Sequence, residues 1–103
     1  MKVEYADGVF EELVALSSFI ADDNEEAAQN FLNACDETFR FLSENRNVGS
    51  VRDFRALSLS NVRMWRVKHF EKYLIFYIST ENGISILHIL HSATDYNRAF
   101  ENE

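Results

Sequence analysis

At 103 residues, with 47% hydrophobic and 26% charged side chains, the chain has the size and composition of one globular domain with a single core. A formal charge of −7 excludes the broad basic face on which phosphate-driven nucleic-acid binding depends, and a lone cysteine, Cys35, excludes an internal disulfide or a paired-thiolate metal site. No apolar run approaches the ~20 residues of a membrane span, and the N-terminal MKVEYADG has no apolar signal core, so a cytoplasmic protein without a cofactor is expected.

Taken in order, residues 2–6 (KVEYA) alternate in polarity and predict a short edge strand. Asp7 is placed to cap a following helix. Val9, Leu13, Leu16 and Ile20 then recur at three- and four-residue spacing, which predicts an amphipathic helix over 8–21. Asp22-Asp23-Asn24 breaks that pattern. Asn24 is suited to capping a second helix over 25–45, with Glu25 and Glu26 complementing the positive end of its dipole. Ala27, Ala28, Phe31, Leu32, Ala34, Cys35, Phe39 and Leu42 form its apolar stripe, and so short a connection makes the two helices an antiparallel hairpin. Cys35 lies in this stripe among acidic neighbours and reads as a buried hydrophobe. Residues 45–61 show weaker order and are expected to form a loop, pinned to the body by Phe54, Leu57 and Leu59.

Three apolar, β-branched or aromatic runs follow, at 62–67, 73–79 and 84–91, and predict an antiparallel meander. The Asn82-Gly83 pair between the last two is a strong hairpin signal, since both residues tolerate positive φ. On the middle strand Tyr73, Ile75 and Tyr77 face one way and Leu74, Phe76 and Ile78 the other, so neither face is polar. A solvated sheet face would alternate. One face must pack on the helices. The other needs a cover as well: a different protein, a second copy, or the tail and the 45–61 loop. The tail is expected to make one helical turn containing Tyr96, Arg98 and Phe100, with Asp95 as its cap. The fold class is therefore α+β: an N-terminal edge strand and a helical hairpin on an antiparallel sheet with a C-terminal three-stranded meander.

This order, with the Arg63-x-Trp65-x-Val67 strand, the Tyr73-Leu74-Ile75-Phe76-Tyr77 strand and the Leu90-His91-x-x-x-Asp95 ending, resembles the RelE/ParE toxin superfamily of type II toxin–antitoxin systems. The resemblance spans residues 3–96 and is closer to the ParE branch. It implies a single toxin domain, a cognate antitoxin that folds onto it, and either a homodimer or a toxin–antitoxin hetero-oligomer. The ParE branch is associated with inhibition of DNA gyrase by binding, and the RelE branch with ribosome-dependent cleavage of mRNA. On this basis Trp65, Tyr73, Phe76, Tyr77, His91 and Arg98 are expected to contact antitoxin or target.

RNA cleavage needs a proton acceptor, a proton donor and cations for the phosphate charge. Arg63, Arg66, His88 and Tyr96 are the residues that would supply them. Many relatives read Arg-Val-Leu-His-Gly-x-Arg-Asp at the last strand, where this chain has His88-Ile89-Leu90-His91-Ser92-Ala93-Thr94-Asp95. Two of the cations are thus replaced, by His88 and Thr94, which favours a non-enzymatic toxin, with a detoxified relative that only binds its antitoxin as a further alternative to the nuclease. His91 is expected to fix the strand end by hydrogen bonding. Of Arg63 and Arg66, which alternate faces, one is expected to contact the target and the other to pair with the acidic helices. Glu11, Glu12, Asp22, Asp23, Glu25 and Glu26 are expected to be solvated.

Overall fold

The computed structural model describes residues 2–54, 59–95, 98 and 100, with side chains throughout except at 53, 54, 59 and 60. Arg55, Leu57 and Tyr96, and the side chains of Phe54 and Leu59, therefore lie outside the described residues. The elements run β1 (Lys2–Tyr5), α1 (Val9–Asp23), α2 (Glu25–Glu44), β2 (Ser50–Phe54), β3 (Leu59–Val67), β4 (Phe70–Ser79) and β5 (Gly83–His91). They build an α+β domain with a five-stranded sheet of order β1-β5-β4-β3-β2.

The helical hairpin forms as its periodicity dictates. Asn24 caps α2, its side chain accepting from the Ala27 amide at 3.0 Å. The start of α1 is a correction. Gly8, at φ 92°, occupies the N-cap without any side-chain bond, so Asp7 belongs to the preceding turn. Left-handed backbone there suits a residue without Cβ.

The sheet differs from the expectation at both edges. β1 runs parallel to β5, pairing Lys2 with Gly83 and Tyr5 with Ile86, so the sheet is mixed. Within residues 45–61, expected to be a loop, Ser50–Phe54 forms β2, antiparallel to β3 and paired through Val51–Arg63 and Arg52–Val62. The direction follows from the hairpin. Two antiparallel helices return the chain to the end of the sheet from which β1 leaves, so the next strand runs opposite to β1 at the far edge.

The β4–β5 connection falls at the Asn-Gly pair, with Ser79 paired to Ile84 and the Thr80 amide donating to the Gly83 carbonyl at 2.9 Å. Neither Asn82 nor Gly83 takes a positive φ. Glycine is required for a different reason: a Cβ at Gly83 would collide with the backbone of Lys2 in β1. The β3–β4 turn is tighter than the polar 68–72 stretch suggests. Val67 pairs directly with Phe70, and His69 takes φ 67° between them.

Both sheet faces are apolar, as the β4 pattern requires. The helix-facing core joins Val9, Phe31, Phe39 and Leu42 to Ile75, Tyr77, Ile84, Ile86 and Ile89. The opposite face gathers Val62, Met64, Leu74 and Phe76. Phe100, from the tail, is itself fully buried against this outer cluster. Its ring meets Phe76 edge-on at 5.5 Å. Burying a phenylalanine contributes about 1.5–3 kcal/mol, enough to hold a short tail segment down. The Arg98 amide donates to the Asp95 carboxylate at 3.3 Å, the capping role expected of Asp95.

Candidate functional site

A prominent concavity lies between the C-terminal half of α2 and the β2–β3 edge. It is a groove of about 810 Å³ whose walls include Phe41, Val48, Ser50, Trp65 and Lys68. Phe41 stacks on Trp65 with ring centroids 6.0 Å apart and planes at 26°. Phe41, Val48 and Val51 remain substantially exposed, at 43%, 39% and 47%. Phe41, Val48, Met64, Trp65 and Val67 give the groove its apolar surface, and Glu37, Arg66, Lys68, His69 and Glu71 also line it. One end is fixed by Thr38, which donates to the Ala34 carbonyl at 2.6 Å and accepts from the Lys68 amide at 3.2 Å. Beside the groove runs β2, an outermost strand of the sheet whose second edge meets no other strand among the described residues. Such an edge offers unpaired backbone groups to an incoming segment.

The other end of the groove is tied down by Tyr77. Fully buried, its hydroxyl donates to the Arg46 carbonyl at 3.0 Å and accepts from the Gly49 amide at 2.9 Å. Burial raises the phenol's pKa above its ordinary value, partly offset by the Gly49 hydrogen bond and by the Arg63 charge. Gly49 is glycine because a Cβ would sit 2.6 Å from the Tyr77 hydroxyl oxygen and 2.9 Å from the Met64 carbonyl oxygen.

The residues singled out from sequence are dispersed. Trp65 is in the groove. Tyr73 and His91 form an edge-to-face pair at 5.1 Å beneath Phe31, half-buried at the opposite end of α2. His91 also accepts the Ala93 amide at 3.0 Å, fixing the strand end. Arg98 is exposed. Phe76 and Tyr77 have no accessible surface in this conformation, so they serve the core rather than a contact surface.

Arg63 donates to the carbonyls of Asn47 and Gly49 at 3.0 and 2.7 Å, and Arg66 donates to the Glu71 carbonyl at 2.7 Å. The ion pair expected between one of them and the acidic helices is not formed: among the described residues, both bind backbone oxygen instead. Arg63 pairs with Tyr77 and Arg66 with Leu74, which puts them on opposite faces of the sheet.

His88 is also committed. The Glu12 carboxylate accepts from His88 Nδ1 at 2.7 Å and from the Ile89 amide at 2.9 Å. A carboxylate only accepts, so Nδ1 carries the proton. Glu12 was expected to be solvated with its neighbours. Instead it closes the edge of β5 beyond the short β1, where the Ile89 amide has no strand partner. Nothing in the local sequence distinguishes Glu12 from Glu11; only the fold brings it to the strand 77 residues later. Cys35 is 2% exposed, and burial pushes its thiol up to about 12.

Residues 3–96 match the family model described as the ParE toxin of the type II toxin–antitoxin system, parDE. Among curated proteins no sequence relative was found. Among solved structures, the fold is similar to a chain of the chromosomal ParDE toxin–antitoxin system from P. aeruginosa. The TM-score is 0.67 at 17% identity, over 88% of this chain and 95% of that one. No helix among the described residues is long and apolar enough to cross a membrane. The family match covers nearly the whole chain, and the strand–hairpin–sheet order agrees with it. This chain belongs to the ParE toxin family of type II toxin–antitoxin systems.

Proposed function

We propose that the chain is a cytoplasmic toxin that inhibits DNA gyrase by binding it and is neutralised by a cognate antitoxin seated in the α2–β3 groove. The observation that carries the antitoxin reading is the groove itself, with a stacked Phe41–Trp65 pair and an exposed Val48, and the open β2 edge with exposed Val51 alongside. An antitoxin segment that folds on binding needs an apolar floor for its anchoring side chains and an edge for its backbone. The two lie side by side. The gyrase reading rests on membership of the ParE branch.

The geometry weighs against mRNA cleavage. Arg63 is spent on two loop carbonyls, His88 on Glu12, and Arg66, at the groove, on the Glu71 carbonyl. Tyr96 lies outside the described residues. Arg63, Arg66 and His88 do not converge on a common pocket that would bind a scissile phosphate.

Trp65 is the single tryptophan, so its fluorescence reports the groove alone. Titrating the purified toxin with the product of the adjoining antitoxin gene should shift the Trp65 emission to shorter wavelength as water leaves the groove. Val48→Glu should weaken that complex at least tenfold while the far-ultraviolet dichroism is kept. Unchanged emission on formation of a tight complex would put the antitoxin elsewhere.

A further inference from the structure

We infer that the outer valley between α1 and α2 is a docking surface for a basic amphipathic helix of a partner protein. Val9, Leu13, Leu16 and Ile20 turn the inner face of α1 to the core. One step further round the same helix, Phe10, Val14, Ser17 and Ala21 recur at four-, three- and four-residue spacing and so share a second stripe. Phe10 and Val14 are 60% and 63% exposed. Tyr5 joins this stripe to α2, its ring centroid 5.0 Å from that of Phe10 and 5.8 Å from that of Phe39. Leu32 of α2 is exposed as well. Tyr5, Phe10, Val14 and Leu32 thus leave an apolar strip on the helical side of the molecule. It shares no residue with the groove between α2 and β3, so both can be occupied at once.

Shape and charge together choose the occupant. The stripe from Phe10 to Ala21 runs for about 16 Å, three turns of helix, which matches the footprint of a short helix laid along it. Ser17, midway, donates its hydroxyl to the Val14 carbonyl at 3.1 Å, so it asks no hydrogen bond of an apolar side chain above it. Residues 1–45 carry eleven acidic and two basic side chains. Both bases already lie beside an acid, Lys2 by Glu4 at 3.9 Å and Arg40 by Asp36 at 2.8 Å. Glu11 and Asp22 occupy the next stripe outward on α1, and Glu25 shares the stripe of Leu32 on α2. All three are exposed and form no ion pair among the described residues. A second copy would set carboxylate against carboxylate across the strip, and an anionic membrane surface would be repelled in the same way. A helix with leucine-like side chains on one face and lysine or arginine along its edges satisfies both the strip and its rim.

Two synthetic peptides of about 18 residues, long enough to populate helix, test this on the full chain. Both carry leucine on one face; one has lysine and the other glutamate on the opposite face. Binding is read by fluorescence anisotropy and mapped by amide chemical shifts. The lysine peptide should bind and shift the amides of Phe10, Val14 and Leu32. Its affinity should fall roughly fivefold as salt rises from about 0.1 to about 1 M and the Debye length shortens from about 10 to about 3 Å. Phe10→Ser and Val14→Ser should each weaken it at least tenfold. Phe19→Ser should not, since Phe19 is equally exposed but lies nine residues on from Phe10, on the opposite flank of α1. Asp22→Lys should weaken it too, whereas the same charge change in Glu81→Lys, at the β4–β5 turn, should leave it unchanged. Equal binding of the glutamate peptide would overturn the proposal, as would shifts confined to Phe41 and Trp65. Self-association of the chain that Val14→Ser abolishes would assign the valley to a second copy instead.

Discussion

Replacing Tyr77 by phenylalanine removes one oxygen and strands two backbone groups. The ring stays in the core, fully buried, so packing is nearly conserved. The Arg46 carbonyl loses a donor at 3.0 Å, and the Gly49 amide loses an acceptor at 2.9 Å. A buried polar group left without its partner costs about 1–3 kcal/mol. The phenol's own desolvation, seen in its raised pKa, is relieved and returns part of that. A net loss of about 2–4 kcal/mol is expected. With a urea slope of about 1–3 kcal/mol/M for a domain of this size, the midpoint falls by roughly 1–3 M at unchanged slope. The same loss lowers Tm by roughly 10–25 °C. The Gly49 amide should exchange faster than its neighbours in β3, since its acceptor is gone. A loss below about 0.5 kcal/mol, with Gly49 exchanging as in the wild type, would refute the reasoning and show that water or a rearranged loop satisfies both groups.

Gly83→Ala forces a Cβ into the Lys2 backbone; overpacking of this kind costs about 1–3 kcal/mol, and exchange should show β1 released before the other strands. Cys35 should not react with a disulfide reagent at pH 8 in the native protein and should react fully once it is unfolded. The folded Cys35 thiol titrates at about 12 against an ordinary 9.0, and Tyr77 is raised as well. Both groups favour the neutral form in the folded state. Their contributions are therefore complete below the unfolded pKa values and are lost as pH rises through the folded ones, Cys35 first from about pH 9. Urea midpoints should be flat to about pH 8 and fall above it; a midpoint that rises with pH in that range would contradict the assignment.

The helices and the three long strands were legible because periodicity is written locally. Phe31, Cys35, Phe39 and Leu42 mark one face of α2 whatever it packs against, and the two-sided apolar pattern of β4 announced a sheet covered on both faces. β2 was not legible: Ser-Val-Arg-Asp-Phe carries two adjacent charges, and a bulge between Arg52 and Phe54 interrupts the alternation. An edge strand needs only one paired side and one buried face, so its composition stays loop-like. Asn82-Gly83 located the turn correctly, but the glycine answers to Lys2, a residue on the far side of the chain that no short-range rule consults. The same holds for the candidate site. Trp65 stood out as an aromatic on a strand, but Phe41 and Val48 joined it only when α2 and the loop before β2 came together. Arg63, Arg66 and His88 had the right chemistry for a nuclease, and their partners, three of them backbone carbonyls, carry no sequence signature.

The proposed reading is that this ParE-family chain acts on DNA gyrase rather than on mRNA. It is tested most directly by expressing the chain without its antitoxin and pulse-labelling DNA and protein synthesis in parallel. Inhibition of gyrase predicts that DNA synthesis falls first and protein synthesis follows late. Early loss of protein synthesis with DNA synthesis intact would contradict the account and return Arg63, Arg66, His88 and Tyr96 to a catalytic role.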